Sequence, residues 1–173
     1  MQWSNKFRWI NALALCVLVL LSGCWLYKFN ASSIDANAHT VNVNLFASKA
    51  PLAPPTLAQK LTEVLRNQIT SQTRLTQENS DSADYVFTGD ISGYDISNAA
   101  VTNVEQASSL RLTITVSVEF RSRTNPKNNF STSFSRSEDF AANISITTIQ
   151  DQLITKINSD LSDDIFNRAF ANW

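Results

Sequence analysis

Leu110-Arg111-Leu112-Thr113-Ile114-Thr115-Val116-Ser117-Val118-Glu119-Phe120-Arg121 alternates apolar and polar side chains without a break. Successive side chains of a strand point to opposite faces, so this pattern predicts a long strand with one buried face and one wet face. Thr124-Asn125-Pro126-Lys127-Asn128-Asn129 then predicts a hairpin turn, because Pro presets φ and Asn tolerates turn backbone. The return strand carries Phe130 and Phe134 on even positions, opposite Ser131, Ser133 and Ser135. An even register sum across the turn sets these rings beside Phe120 and Val116 on the core face.

Working outward, Tyr85, Phe87 and Ile91 predict another strand, and at Gly93 the alternation shifts by one residue to Tyr94 and Ile96. A β-bulge at Gly93 accounts for that change of phase. Val41 to Leu45, apolar on odd positions, reads as the first strand. Pro51, Pro54 and Pro55 stop it, and Thr56 with Gln59 forms a capping-box pattern. Leu57, Leu61, Val64, Leu65 and Ile69 mark one face of a helix ending near Gln72. A short strand fits Leu75 to Glu78, and Asn79 to Asp84 is a turn. The last helix is predicted from about Thr148, with Asp151 completing a second capping box. Its stripe is Ile149, Leu153, Ile157, Leu161, Ile165 and Ala169, widened by Ile154, Phe166 and Phe170. The fold class is α+β, with two α-helices packed on one face of a mainly antiparallel sheet of four strands, five with the short one.

The N-terminus reads as an address. Lys6 and Arg8 precede an apolar run from Ala12 to Leu21, too short to span a bilayer but of the length of a secretory signal. Leu21-Ser22-Gly23-Cys24 resembles the bacterial lipobox, which implies cleavage before Cys24 and a diacylglycerol thioether on its sulfur. The expected organisation is a signal peptide over 1–23, a lipidated tether over 24–38 and a single domain over 39–173. Cys16 leaves with the signal, so the mature chain keeps no cysteine free for a disulfide. Trp25 follows the lipidated residue, and by analogy with enterobacterial sorting the absence of Asp there favours the outer membrane.

Composition narrows the chemistry. A net charge of −1 argues against nucleic acid as partner. Three glycines, Gly23, Gly89 and Gly93, allow neither a dinucleotide fingerprint nor a P-loop, and one His with two Cys cannot build a four-ligand zinc site. The expectation is a protein that is not an enzyme and carries no cofactor and no metal. His39 reads as a solvated residue at the end of the tether, and Asp160, Asp163 and Asp164 as a solvated acidic helix face.

Two surfaces invite a function. Thr113, Thr115, Ser117, Ser131, Ser133 and Ser135 form a nearly uncharged sheet face that no helix remains to cover. It meets either water or another polar wall such as a β-barrel lumen, for which hydroxyls are suited because they donate or accept. Arg111 lies near one end of the long strand, while Arg121, Arg123 and Lys127 gather at the hairpin tip. These cations serve either solubility or the phosphates of a lipid headgroup. Asp81-Ser82-Ala83 resembles a short O-glycosylation motif of some Bacteroidota periplasmic proteins.

Taken together, the lipobox, Ala50-Pro51-Leu52-Ala53-Pro54-Pro55-Thr56-Leu57, Tyr85 to Tyr94, Arg111 to Val118, Phe134-Ser135-Arg136 with Asp139-Phe140, and Asp164 to Trp173 carry a resemblance. The chain resembles the lipopolysaccharide-assembly lipoproteins of the LptE type, in their Bacteroidota form. The resemblance implies an outer-membrane lipoprotein that plugs a large LptD-type β-barrel translocon, assists its assembly and binds lipopolysaccharide. It also implies two helices on a four-stranded sheet. The alternative reading is a free periplasmic lipoprotein binding a small ligand or a cell-wall glycan, which an apolar pocket with stacked aromatics would favour.

Overall fold

The computed structural model describes residues 34–99 and 109–171. The chain runs β1 (Thr40–Val43), β2 (Ala47–Ser48), α1 (Leu57–Gln72), β3 (Thr76–Gln77), β4 (Tyr85–Asn98), β5 (Ser109–Ser122), β6 (Phe130–Ala141) and α2 (Ile146–Phe170). A short 3₁₀ turn, Pro126–Asn128, joins β5 to β6. The class is α+β as expected, but the sheet has six strands in the order β3-β1-β4-β5-β6, with β2 beside β4. The three long strands are antiparallel, whereas β1, β2 and β3 pair in parallel, so the sheet is mixed.

The register of β5 and β6 follows from the pattern. Phe120 faces Phe130 and Val116 faces Phe134. Leu112, Ile114, Val116, Val118 and Phe120 are buried in alternation with exposed or half-buried polar residues. On the neighbouring pair, Phe87 faces Phe120 and Ile91 faces Val116, after which the register shifts between Ile91 and Gly93. Ser92 is the extra residue of the bulge. A Cβ at Gly93 would meet Thr115 Cβ at 3.2 Å, so glycine lets the two strands close up where the ladder is interrupted.

Two boundaries and both side-chain caps differ from expectation. The first strand stops at Val43, and Leu45 is 65% exposed. Alternation broke there because Phe46, not Leu45, takes the core position. Its ring lies over Gly89, where a Cβ would meet Phe46 at 3.1 Å, and its N–H donates to the Thr62 hydroxyl. Neither capping box forms. Thr56 is already helical at φ −81°, ψ −11°, so its hydroxyl does not reach back over the first turn, and Leu57 N donates to Pro54 O instead. In α2 the cap position falls to Ser145, whose hydroxyl pairs with Thr147, leaving Thr148 inside the first turn.

Both helices cover one sheet face and run the same way, as Lys60–Asp151 at their starts and Gln68–Asp163 further along show. Leu57, Leu61, Leu65 and Ile69 of α1, with Ile154, Ile157, Leu161 and Ile165 of α2, are fully buried in the core. At its lower end Phe170 stands edge-on to Tyr85, Phe87 and Phe120, with centroids 5.5–5.9 Å apart. Those separations suit edge-to-face aromatic attraction on top of area burial.

Candidate functional site

The hydroxyl face is on the sheet side away from the helices. Thr115 and Ser135 are cross-strand partners with hydroxyls 3.1 Å apart, and Ser117 and Ser133 are partners at 3.3 Å. The bulge adds Ser92, which donates to Thr115 O at 3.4 Å and accepts from the Ser117 hydroxyl at 3.5 Å. Thr113 sits opposite Ser137, while Ser131 sits opposite Glu119, so the six residues share one face, with Glu119 and Arg121 at its margin toward the hairpin tip. Ser92 and Ser137 belong to the face although side-chain alternation alone did not single them out. The phase change at Gly93 was the signal for Ser92.

Beside this face lies a shallow depression of about 290 Å³ between Ala47, Lys49, Thr88, Asp90, Ser117 and Glu119. Lys49 and Asp90 pair across it at 2.9 Å. It lacks the stacked aromatics expected of a glycan or small-ligand pocket.

The basic candidates separate into two ends. Arg111 is held by Asp139 in a two-toothed pair at 2.6 and 2.9 Å, which lowers the carboxyl and raises the guanidinium from their usual ranges. Arg121 is 3.9 Å from Glu119. Arg123 reaches Asp84 at 2.5 Å, and Lys127 stands on the 3₁₀ turn. The structure adds Arg168, whose guanidinium lies 4.8 Å over the Phe130 ring. No sequence spacing links the last turn of α2 to the hairpin tip, so only the tertiary packing brings it there.

Asp84 joins this tip to the start of the domain. Its carboxylate accepts from His39 N at 2.8 Å, from Thr40 N at 3.1 Å and from the Thr40 hydroxyl, and faces Arg123. These donors, the His39 N–H foremost, hold its pKa down to about 2 against the opposing effect of burial. His39 thus contributes its backbone, with an exposed side chain. The acidic helix face is partnered rather than simply solvated: Lys156 reaches Asp160, Gln68 reaches Asp163 and Arg136 reaches Asp164. Ser82 is exposed with its hydroxyl against Ser80. Cys24 and most of the tether lie outside the described residues.

A crystal structure of a minor lipoprotein from Acinetobacter baumannii superposes with a TM-score of 0.51 at 15% identity, covering 75% of this chain and 90% of that one. A hypothetical protein from Chlamydia trachomatis gives 0.55 at 13% identity over 76% and 95%. At such identities the likeness concerns the fold. No curated protein matches the sequence. The profile of the lipopolysaccharide-assembly family, LptE, matches residues 38–169, from the first buried residue before β1 to the last turn of α2. The chain belongs to the LptE lipopolysaccharide-assembly family.

Proposed function

We propose that this protein is an outer-membrane lipoprotein, acylated at Cys24, that sits in the lumen of an LptD-type β-barrel as plug and assembly partner. The observation that carries this reading is the hydroxyl face. It is broad, uncharged along its central rows of hydroxyls, and left uncovered because both helices occupy the opposite side. A barrel lumen is lined by polar side chains, and hydroxyls pair with such a wall whichever way its donors and acceptors point. Thr113, Thr115, Ser117, Ser131, Ser133 and Ser135 are the proposed barrel contacts. The family assignment supports the same direction, since its members serve lipopolysaccharide assembly.

Lipopolysaccharide phosphates are the proposed ligands of Arg121, Arg123 and Lys127, with Arg111 a separate contact at the far end of β5. Charge-assisted pairing gives these residues the required chemistry, although Arg111 and Arg123 must share their donors with Asp139 and Asp84.

The test is affinity purification of a C-terminally tagged copy from detergent-solubilised outer membranes. The expected result is one large heat-modifiable barrel recovered in equal amount. A protein that comes out alone would point to the free lipoprotein binding a small ligand or cell-wall glycan.

A further inference from the structure

We infer that the end of the domain where the tether enters is a membrane-facing surface, whose open cations take headgroup phosphates of the leaflet that holds the anchor. The inference rests on the proposed acylation of Cys24 and concerns what the domain does at the bilayer.

The distribution of paired charge is the first argument. Lys49, Lys60, Arg111, Arg123, Arg136 and Lys156 each sit 2.5–2.9 Å from a carboxylate. Arg66 and Arg74 donate to the carbonyls of Val43 and Asp35. Arg121 has only Glu119 at 3.9 Å. Among the described residues no carboxylate pairs with Lys127 or Arg168. Among the described residues, the cations left open are therefore those around the hairpin tip. Arg168 spends the face of its guanidinium on Phe130, which leaves the edge N–H fork free for a phosphate.

The second argument is where the tether comes in. Asp35 N donates to the Tyr85 hydroxyl at 3.1 Å, and Tyr85 opens β4 opposite Ser122, the last residue of β5. Asp84 then clamps His39 and Thr40 on one side and Arg123 on the other. Tether entry and hairpin tip are thus tied to one end of the sheet. Ile34 follows Cys24 by ten positions, so the backbone between them can span at most about 36 Å. Attraction to a charged surface fades over about 8 Å at physiological salt, so the cations beside the point where the tether enters are the ones best placed to meet it. Asp35 and Asp84 at this end are themselves engaged, Asp35 by Asn37 N and Asp84 as above.

The experiment uses the mature acylated protein in nanodiscs, its lipidation verified by mass, with a dye on Asn128→Cys beside Lys127. Discs of phosphatidylcholine alone are compared with discs containing phosphatidylglycerol, each carrying a headgroup-located quencher, and then with lipopolysaccharide added. Quenching is expected to rise at least fivefold in the anionic discs, about the effect of one cation at such a surface. Lys127→Glu with Arg168→Glu should return it to the phosphatidylcholine level. Lys127→Glu alone, which disturbs no packing, should remove a large part of the rise. Equal quenching in both phospholipids would overturn the inference, as would a response to lipopolysaccharide only. A protein whose Cys24 is unmodified overturns it at the anchor and not at the tip.

Discussion

Asp84 is the residue on which most of the lower end depends. Its pKa is lowered from 3.8 to about 2 in the folded state, so its contribution is fully present above about pH 4 and is lost as pH falls toward 2. That contribution is at most about 2 kcal/mol, because Arg123 is largely exposed and screened. Asp84→Asn should therefore lower the melting temperature at pH 7 while flattening its fall between pH 4 and 2, which thermal unfolding across that range checks. Asn158 offers the opposite case. It is 1% exposed on α2, and among the described residues neither atom of its amide has a partner. An unpaired buried amide costs about 1–3 kcal/mol, so Asn158→Leu should raise the melting temperature by a few degrees. A loss of stability in that variant would show that the amide is satisfied.

The β5–β6 hairpin is the element whose wet face the plug reading engages. Thr115→Glu with Ser133→Glu puts like charges on neighbouring rows of exposed positions, at a cost of about 0.2–1 kcal/mol to the fold. Recovery of the barrel partner should nonetheless fall at least tenfold in the tagged pull-down, because two carboxylates buried in that contact lose their hydration without a cation to pair with. Normal recovery would free the face from that role. This hairpin was the most legible part of the sequence, since its period of two is uninterrupted and a hairpin closes locally. The helices were legible through their stripes, and α1 through its cap position at Thr56, but the missing side-chain caps and the earlier start of α2 were not. Thr56 and Ser145 cap through backbone that Pro54 and the chain's entry angle determine, and no side-chain pattern reports that. β1 was overextended because Leu45 fits the alternation, while the decisive contact is Phe46 over Gly89, 43 residues away in sequence. The hydroxyl face could be read from alternation. Arg168 could not, because its place over Phe130 exists only once α2 has crossed the sheet.

For the whole molecule, Cys24→Ala should move the protein from the membrane pellet to the soluble fraction, which fractionation and blotting of a tagged copy would show. Persistent membrane association would mean that another feature holds it there. The packing itself predicts that Phe120→Ala, at the meeting point of Tyr85, Phe87, Phe130 and Phe170, destabilises the domain by about 3–5 kcal/mol, measurable by urea unfolding. Order of delivery matters as well as final packing. Val41 pairs with Tyr85 and Val43 with Phe87, so β1 finds its place only after β4 has arrived. β4, β5, β6 and α2, by contrast, are joined neighbour to neighbour and condense through short-range closures. A chain that emerges N-terminus first therefore exposes Val41, Val43, Phe46 and the apolar stripe of α1 for the whole time its second half is still in transit. On that topology the second half is expected to fold first, so Val116→Ala should slow refolding whereas Val41→Ala should mainly speed unfolding, as stopped-flow kinetics would show.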